Sequence, residues 1–463
     1  MTGKAAGDAD FAVVGAGLAG LRTATALADA GASVTVFEAR DRVGGRVWST
    51  AAPGRSATQP PMTLDLGAQW VGPGQSEMRR LITQHGLQVV PTAVPGRTIW
   101  ALNRQVTLAR AALPPMPPQA LADLLAGGAR LALMSWQVLT HAPWQARRAT
   151  QWDQITAADW IRRYIRTPEG RACARMLIRA DAAIEPDETS LLGLLFDLRS
   201  VGGARNLARA EMFRLPGGTH ELARRLSEQV RGRIRLADPV RAISQDSAGV
   251  TVESDGCALR CRRVAVCLPP PLAHEIRYTP ALPQQRARLL ASRPMGAAVK
   301  FHAIYARPFW RDRGLSGQAL SSSGTVCLTY DNSPDDGTGR GALVGLVVAD
   351  QARRLSALDP SRQEQEILGS LGGLLGLDAQ SPDSLVIQDW CREVWTRGCY
   401  AAHFPPGVWT SYGGAFSQPC RRIHWAGTET STAWHGYMEG ALRSAARVAR
   451  EMLQADAVKA GRP

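Results

Sequence analysis

The chain has 463 residues, of which 45% are hydrophobic and 20% charged, and a formal net charge of +14 at pH 7. This length is about three times that of a typical domain, so we expect two domains with a large buried core. The longest uncharged stretches, such as residues 131–145, are shorter than the ~18 to 20 apolar residues that span a bilayer. Residues 1–10 lack the apolar region of a secretory signal. We therefore expect a soluble, cytoplasmic protein with no membrane partner.

The positive charge is carried mostly by arginines scattered along the chain. No block of five consecutive basic residues occurs, and aromatic residues do not interleave with the arginine clusters. A solvated surface explains this charge better than a nucleic-acid partner does. The eight cysteines form no CxxC pair, and no histidine follows them at zinc-ligand spacing. We expect no nucleic-acid partner, no metal site and mostly reduced thiols.

The N-terminal residues have the pattern of a strand, a helix and a second strand. Residues 11–14 form an apolar run typical of a buried parallel strand, residues 21–30 favour a helix, and residues 33–37 have the composition of a second strand. This order predicts a βαβ unit and, with it, a doubly wound, Rossmann-like α/β domain.

The turn after the first strand has the spacing Gly15-x-Gly17-x-x-Gly20. Such glycines permit a tight turn, a close approach of the backbone to a pyrophosphate and close packing of helix on strand. Glu38 follows the second strand, where a carboxylate can accept hydrogen bonds from ribose hydroxyls. We therefore predict a dinucleotide site here, with the pyrophosphate at the N-terminus of the helix.

The remaining chain alternates between helical and strand-rich regions. Residues 81–214 have helical periodicity, whereas residues 233–271 and about 296–350 are strand-rich, and a strand at 423–426 precedes a helix at about 438–454. We predict a discontinuous nucleotide-binding domain with a second, α+β domain inserted in two pieces. The predicted ranges are 1–80, 216–293 and 389–456 for the first domain, 81–215 and 294–388 for the second, and 457–463 for a polar tail.

After Glu38 the chain continues with Asp41-Arg42-Val43-Gly44-Gly45-Arg46. This segment resembles the DRxGGR segment of the flavin monoamine oxidase family, in which it lies along the pyrophosphate and brings its arginine near the flavin. The resemblance therefore favours FAD over NAD as the cofactor.

Further segments resemble the same family, in the same order along the chain. They are residues 65–73, 216–219, 294–300, 398–407, 426–430 and 434–440. The resemblance covers residues 11 to about 452 and implies the amine oxidase fold, a Rossmann-like FAD-binding domain with an inserted α+β substrate-binding domain. The FAD-binding residues that it implies are Gly15, Ala16, Gly17, Gly20, Glu38, Arg40, Gly45, Arg46, Gly67, Ala68, Gln69, Trp70, Val240, Trp390, Cys399, Gly427, Thr428, Glu429 and Met438.

Three residues of these segments are candidates for the chemistry. The resemblance implies that Tyr400 and Tyr437 form an aromatic cage, which would attract a cationic amine and hold its nitrogen in line with the flavin. It also places Lys300 beside the flavin N5, where the lysine could assist the reaction of reduced flavin with O2. Either tyrosine alone is more often a packing residue, and only its place in a matching segment favours the cage.

Cys399 directly precedes Tyr400 and has two interpretations. A free cysteine is most often a small buried apolar residue. The resemblance instead aligns it with the cysteine that forms a thioether to the flavin in monoamine oxidases. FAD is therefore expected, with covalent attachment through Cys399 as one of two alternatives.

The substrate cavity is expected to include Asp181, Glu211 and Leu328. Alignment on the neighbouring motifs places the two acids where monoamine oxidases have uncharged cavity residues. One interpretation is that both acids pair with nearby arginines (Arg179, Arg209 and Arg214). The other is that at least one faces the cavity and recognises a second polar or cationic group of the substrate.

The function implied is oxidation of a primary mono- or diamine to an imine, then aldehyde and ammonia, with O2 reduced to H2O2. An L-amino acid oxidase would need a cavity arginine for the substrate carboxylate, and a polyamine oxidase is a further alternative. A flavin-binding interaction module is an alternative of a different class, although the long helical insertions of such relatives are not evident here. The oligomeric state stays open, with a homodimer as one outcome.

Overall fold

The computed structural model describes residues 9–52, 61–230 and 233–459. The strands are β1 Phe11–Val14, β2 Val34–Phe37, β3 Ser49–Ala52, β4 Met62–Asp65, β5 Trp70–Val71, β6 Val90–Pro91, β7 Arg97–Leu102, β8 Gln105–Ala109, β9 Phe213–Arg214, β10 Ile234–Arg235, β11 Val240–Gln245, β12 Val250–Ser254, β13 Ala258–Cys261, β14 Arg263–Val266, β15 Arg277–Thr279, β16 Ala298–Tyr305, β17 Leu315–Ser321, β18 Leu328–Asp331, β19 Gly341–Val348, β20 Ser384–Asp389 and β21 Ile423–Trp425.

The α-helices alternate with these strands at the N-terminus and form a separate group in the middle of the chain. They are α1 Leu18–Asp29, α2 Ser76–Gln84, α3 Pro118–Ser135, α4 Ala149–Asp153, α5 Ala157–Tyr164, α6 Pro168–Ala182, α7 Leu191–Ser200, α8 Ala204–Leu207, α9 His220–Gln229, α10 Pro270–Glu275, α11 Gln284–Ala291, α12 Phe309–Asp312, α13 Ala349–Ser356, α14 Pro360–Leu375, α15 Val408–Tyr412 and α16 Met438–Lys459.

A five-stranded parallel sheet has the order β10-β2-β1-β14-β21. Its central strand β1 is buried along its whole length, as the apolar run predicts for a parallel strand covered on both faces. Helices α1 and α16 pack against each other beside this sheet, and their apolar side chains share one core with β1 and β2. The predicted βαβ unit and the α/β class are therefore confirmed.

Helix α1 begins at Leu18, three residues before the range that the sequence predicts. Gly17 is its N-cap residue, so the helix starts inside the glycine-rich turn and includes Gly20. The turn is therefore shorter than the spacing of its glycines suggests, and the first backbone N–H groups of α1 lie directly at the end of β1.

A second, seven-stranded sheet has the order β20-β16-β19-β18-β17-β7-β8. Its neighbouring strands are antiparallel except for β7 and β17, which pair in parallel. Helices α3, α5, α6 and α7 pack on one another and share a core with aromatic side chains of α15. The sheet and the helices together surround one side of the cavity described below.

The predicted domain ranges stay a prediction. All strands of the parallel sheet fall within the ranges predicted for the nucleotide-binding domain. Helix α16 continues to Lys459 and so extends into the predicted polar tail, while residues 460–463 lie outside the described residues. In the described part of the chain, no helix is both long and apolar enough to cross a membrane.

Candidate active site

One cavity of about 730 Å³ runs from the parallel sheet to the helical group. We call its first part the nucleotide end, lined by the turns after β1 and β2 and by residues 44–47. We call its second part the helical end, lined by residues of α3, α5, α6 and α7 and by Glu211. Lys300, Tyr400 and Tyr437 line the same cavity, so the three predicted catalytic residues share one space with the predicted dinucleotide site.

The glycines of the turn differ in what surrounds them. A Cβ atom on Gly20 would lie 1.8 Å from the Gly15 carbonyl oxygen, and one on Gly15, where φ is +100°, would lie 2.9 Å from the Cys267 carbonyl oxygen. A Cβ atom on Gly17 would meet no protein atom closer than 3.9 Å. Gly15 and Gly20 are therefore required by the fold itself, whereas the space at Gly17 is free for a ligand to approach the backbone.

The N-terminus of α1 has the properties of an anion site. No side chain caps the helix at Gly17, so its first N–H groups are not satisfied by a capping residue. The neighbouring loop is held beside this turn by a hydrogen bond from Gly44 N to Ala16 O (2.8 Å) and by a bridge between Gly17 and Gly44. Uncapped N–H groups at a positive helix end bind phosphate groups.

Glu38 stands at the carboxyl end of β2 and lines the nucleotide end. Its carboxylate accepts hydrogen bonds from the backbone N–H groups of Ala16 (2.7 Å) and Arg40 (3.0 Å). Ala16 itself does not line the cavity, so its contribution is to hold Glu38 in place. A fixed carboxylate with free acceptor positions facing the cavity fits the ribose of a dinucleotide.

Arg46 and Glu429 form a bidentate pair behind the nucleotide end. Arg46 donates from both terminal nitrogens to Glu429 and also to the backbone oxygen of Tyr400 (2.8 Å). Burial alone would raise the pKa of Glu429, but the Arg46 guanidinium outweighs it and the pKa is lowered overall. Glu429 does not line the cavity, and its carboxylate instead positions Arg46, which does.

The other predicted FAD-binding residues fall into two groups. Most of them line the cavity, namely Arg40, Gly45, Gly67, Ala68, Gln69, Trp70, Val240, Trp390, Cys399, Gly427, Thr428 and Met438. Gly20, like Ala16 and Glu429, lies outside the lining. Trp390 is fixed by a hydrogen bond from its indole N–H to the Leu66 carbonyl oxygen (2.8 Å). Together with the uncapped helix end and the open space at Gly17, this set fits an FAD molecule.

Lys300 lies on β16, every residue of which is buried. Its ammonium group donates to Gly67 O and Gln69 Oε1, both at 2.8 Å, and lies 4.9 Å from the centre of the Trp70 ring. Burial lowers the pKa of Lys300 to about 8, although the carboxylates of Asp65 and Glu211 act in the opposite direction. The side chain is therefore poised to exchange a proton near neutral pH.

The two tyrosines reach the same turn of α6. Tyr400 donates a hydrogen bond to Ala180 O (3.2 Å), and Tyr437 donates to the carboxylate of Asp181 (3.0 Å). Cys399 lines the cavity beside Tyr400, to which it is joined by a cis peptide bond. Burial raises the pKa of the Cys399 thiol to about 12, although Arg46 and Lys300 act in the opposite direction.

Asp181 and Glu211 both line the cavity, and neither pairs with an arginine suggested by the sequence. Arg179 pairs with Glu185 (2.8 Å), and Arg214 donates to Ser333 O (2.9 Å). Arg209 donates to the sulfur of Met212 (3.3 Å). The interpretation that these arginines neutralise the two acids is therefore wrong.

The two acids accept hydrogen bonds from tyrosines instead. Asp181 accepts from Tyr437, and Glu211 accepts from the hydroxyl of Tyr330 (2.8 Å). Burial raises the pKa of Asp181 to about 7, together with the smaller effects of the Asp197 and Glu211 carboxylates, although the hydrogen bond from Tyr437 acts in the opposite direction. Burial also raises the pKa of Glu211. The cavity wall beside the tyrosines is thus acidic. Among the described side chains, neither acid has an arginine or lysine at ion-pair distance, although the more distant Lys300 ammonium lowers the pKa of Glu211.

Leu328 is buried on β18 but does not line the cavity. Its cross-strand neighbour Leu346 on β19 does line it, and both pack in one cluster with Tyr400. A cavity role for Leu328 therefore stays a prediction, and Leu346 is the leucine that the structure places on the wall. Sequence patterning did not distinguish the two because both lie in apolar strands.

Sequence reasoning also missed a close contact between a carboxylate and an imidazole on the cavity wall. Asp197 of α7 lies 2.9 Å from Nδ1 of His435, and both residues line the cavity. Arg293 approaches Nε2 of His435 at 3.0 Å; because a guanidinium only donates, Nε2 accepts and the proton is on Nδ1, facing Asp197. His435 is two residues before Tyr437, so the matching segment could have indicated it, whereas nothing near Asp197 in sequence does.

The chain is similar to known proteins over nearly its whole length. A sequence profile described as flavin containing amine oxidoreductase matches residues 18–453. The chain is 36% identical over 454 residues to a flavin-containing monoamine oxidase of Mycobacterium tuberculosis, covering 96% of each chain. It is 32% identical to flavin-containing amine oxidase A of Bos taurus, covering 96% of this chain and 85% of the relative.

Two groups of solved structures share the fold closely. A wild-type putrescine oxidase bound to putrescine superposes with a TM-score of 0.91 at 29% identity, covering 97% of this chain and 100% of that chain. Cyclohexylamine oxidase from Brevibacterium oxydans has a TM-score of 0.90 at 30% identity, covering 98% and 100%. The chain therefore belongs to the flavin-containing amine oxidase family, and it is an FAD-dependent amine oxidase.

Proposed function

We propose that the chain oxidises primary amines that carry a second cationic or polar group, with diamines as the preferred substrates. When bound, the flavin ring accepts a hydride from the carbon next to the amine nitrogen and passes the two electrons to O2, which yields an imine and H2O2. The observation that carries the proposal is the acidic wall formed by Asp181 and Glu211 beside the two tyrosines.

The reacting nitrogen would be held by Tyr400 and Tyr437. Hydrogen bonds from their hydroxyls to Ala180 and Asp181 fix both side chains against α6. Aromatic faces attract the cationic amine and then orient its neutral form. This orientation lowers the entropic cost of reaching the reactive geometry. These residues supply position, and they need not exchange protons.

Lys300 would act at the other half of the reaction. The ammonium group is buried, held by Gly67 O and Gln69, and its pKa is lowered by burial to about 8. A fixed positive charge at this position would stabilise the negative charge that develops on oxygen as O2 accepts electrons. We therefore assign Lys300 to oxygen reactivity rather than to amine oxidation.

Glu211 would recognise the second nitrogen of the substrate. The carboxylate has no arginine or lysine partner at ion-pair distance in the described chain and is held by Tyr330 alone (2.8 Å). A second ammonium group in the cavity would provide the missing counter-charge. The putrescine oxidase that shares this fold was solved with putrescine, a diamine, bound to it.

The cavity is poorly suited to an amino acid. Among the described residues, the arginines that line it are Arg40, Arg46, Arg241 and Arg277. All four belong to the ranges predicted for the FAD-binding domain, and the helical end instead presents carboxylates. An α-carboxylate would therefore meet like charge where it needs a guanidinium.

A peroxide assay with a panel of amines tests the proposal. Putrescine or a diamine of similar length should be oxidised with a higher kcat/KM than benzylamine, because only the diamine places a cation against Glu211. An L-amino acid serves as the second comparison. Preference for benzylamine or for the amino acid would contradict the assigned substrate class, while the family assignment would stand.

We also propose that Cys399 forms a thioether to the flavin methyl group. The thiol is buried and lines the cavity beside Tyr400. The bond would form with loss of one hydrogen from the thiol and one from the methyl group, and O2 would take up both to give H2O2. After acid denaturation, the polypeptide should stay yellow and its mass should exceed that of the chain by one FAD. Release of free flavin into the supernatant would contradict attachment.

A further inference from the structure

The outer side of α3 is apolar although it faces solvent. Four large side chains on α3 and directly after it are strongly exposed, and we call them the α3 face: Leu125 (53%), Leu133 (70%), Trp136 (61%) and Leu139 (46%). The other exposed residues of the helix include three alanines: Ala122, Ala126 and Ala129. Their spacing of three or four residues forms one continuous stripe along the helix.

The opposite side of α3 is also apolar, but for a different reason. Leu124 and Gly127 are buried, and Leu124, Gly128 and Leu131 line the cavity. The helix therefore has two apolar sides, with Asp123 and Arg130 as its only charged residues, and the rest of the protein covers only the inner side. A helix with this pattern is normally buried on both sides, so the α3 face needs a partner outside the chain.

The part of the chain that contains the α3 face is rich in arginine. Between Arg110 and Arg171 the chain has eight arginines and four acidic residues. Of these acids, Asp153 is fully buried and Asp159 pairs with Arg162. This region therefore presents a net positive charge to solvent.

Four arginines lie on α3, against Trp136 or in the chain shortly after the α3 face. Arg199 stacks on Trp136 at 4.2 Å, and Arg130 on Tyr164 at 4.4 Å. Arg147 and Arg148 are exposed in the loop that follows the face. Among the described side chains, none of these four arginines lies at ion-pair distance from a carboxylate.

We propose that the α3 face docks on the surface of an anionic lipid bilayer. Its leucines and Trp136 would lie among the headgroups and upper acyl chains, and the flanking arginines would contact lipid phosphates. Apolar side chains, an interfacial tryptophan and flanking arginines are the combination that binds such surfaces. A second copy of the chain fits less well, because a symmetric contact would bring two basic surfaces together.

Docking through the α3 face would bring the cavity close to the bilayer. Because the inner side of the same helix lines the helical end of the cavity, a docked molecule would hold that end of the cavity next to the bilayer. Amphiphilic amines, which concentrate in anionic membranes, would then be close to the residues that line it.

The test is flotation of the FAD-loaded enzyme with vesicles of phosphatidylcholine, alone or mixed with phosphatidylglycerol. We expect binding to the mixed vesicles that weakens with added salt, and little binding to phosphatidylcholine alone. The substitution Leu133→Gln should weaken binding about tenfold, because the transfer of a leucine side chain from water into the bilayer no longer contributes to binding. Arg147→Gln and Arg148→Gln should each weaken it about fivefold.

Matched controls come from other elements. Leu377→Gln removes a leucine that is 79% exposed, and Arg450→Gln removes an exposed arginine of α16. Both should bind vesicles as the wild type does, and all variants should retain flavin absorbance and oxidise a water-soluble amine normally.

Three results would overturn the proposal. One is failure of the wild type to bind mixed vesicles, and another is equal loss of binding in the Leu377 or Arg450 variants. The third is a wild-type dimer in solution that Leu133→Gln converts to a monomer without any effect on lipid binding, which would assign the α3 face to a second copy.

Discussion

The two ends of the cavity differ in how their charged groups are paired. At the nucleotide end, Glu38 is held by backbone N–H groups and Arg46 is paired with Glu429, so each charge has a partner within the protein. At the helical end, Asp181 and Glu211 face the cavity with only tyrosine hydroxyls as partners. The first end is complete as a cradle before a ligand arrives, whereas the second leaves a charge for the ligand to balance. Cofactor binding can therefore be tested by substitutions that fill space beside the backbone, and substrate binding by substitutions that remove a charge.

The largest effect is expected at the glycine turn, where two glycines should fail in different ways. Gly17→Ala should leave the free energy of unfolding of the FAD-free protein nearly unchanged, because its Cβ would meet no protein atom within 3.9 Å. It should nevertheless abolish FAD retention, because the methyl group would occupy the space that the pyrophosphate needs. Flavin absorbance after gel filtration measures the loss.

Gly20→Ala is the matched control, because its Cβ would lie 1.8 Å from the Gly15 carbonyl oxygen. This variant should lower the thermal stability of the FAD-free protein as well as FAD binding. If both variants destabilise the FAD-free protein equally, Gly17 is required by the fold and its role in binding the pyrophosphate would be contradicted.

Lys300→Met should produce the next largest effect, and only in one half-reaction. Reoxidation of the reduced enzyme by O2 should slow by about a hundredfold or more, as is typical when a charged group at the reacting centre is removed. Anaerobic reduction by amine should change little. Stopped-flow absorbance of the flavin separates the two steps, and equal slowing of reduction would show that Lys300 serves the amine instead.

Glu211→Gln tests the charge at the helical end. The KM for a diamine should rise tens-fold or more, because loss of one partner from a buried charge pair costs about 2 to 5 kcal/mol. An apolar amine should be spared. Glu364→Gln, on the exposed part of α14, is the matched control and should affect neither substrate. A rise of KM for both amines alike would remove Glu211 from substrate recognition.

The smallest expected effect is a pH dependence set by Asp181. Burial raises the pKa of this carboxyl to about 7, so it is protonated below that pH and gains its negative charge as the pH rises through it. The affinity for a diamine should therefore increase several-fold between mildly acidic and mildly alkaline pH, where the diamine is still a dication. Asp181→Asn should flatten this profile for the diamine, and an unchanged profile would assign the titration to another group.

The predictable part of the molecule follows from local sequence. The apolar run of β1, the glycine spacing and Glu38 lie within one βαβ unit, and the structure confirms that unit. The positions of Lys300, Tyr400 and Tyr437 followed from the family resemblance, and the structure brings all three to one cavity. Their roles stay predictions, as does a cavity role for Leu328, which lies outside the lining.

The glycine turn and Glu38 at the nucleotide end could be predicted from the sequence, because their backbone geometry depends on residues close together in the chain. The partners of the charged groups at the helical end became evident only from the folded structure. Asp181 meets Tyr437 across 256 residues of sequence, and Glu211 meets Tyr330 across 119. Whether an acid pairs with a nearby arginine or faces a cavity depends on how α6, α7 and the seven-stranded sheet pack. No local pattern encodes that packing, because the contacts that fix each charge come from segments far apart in the chain.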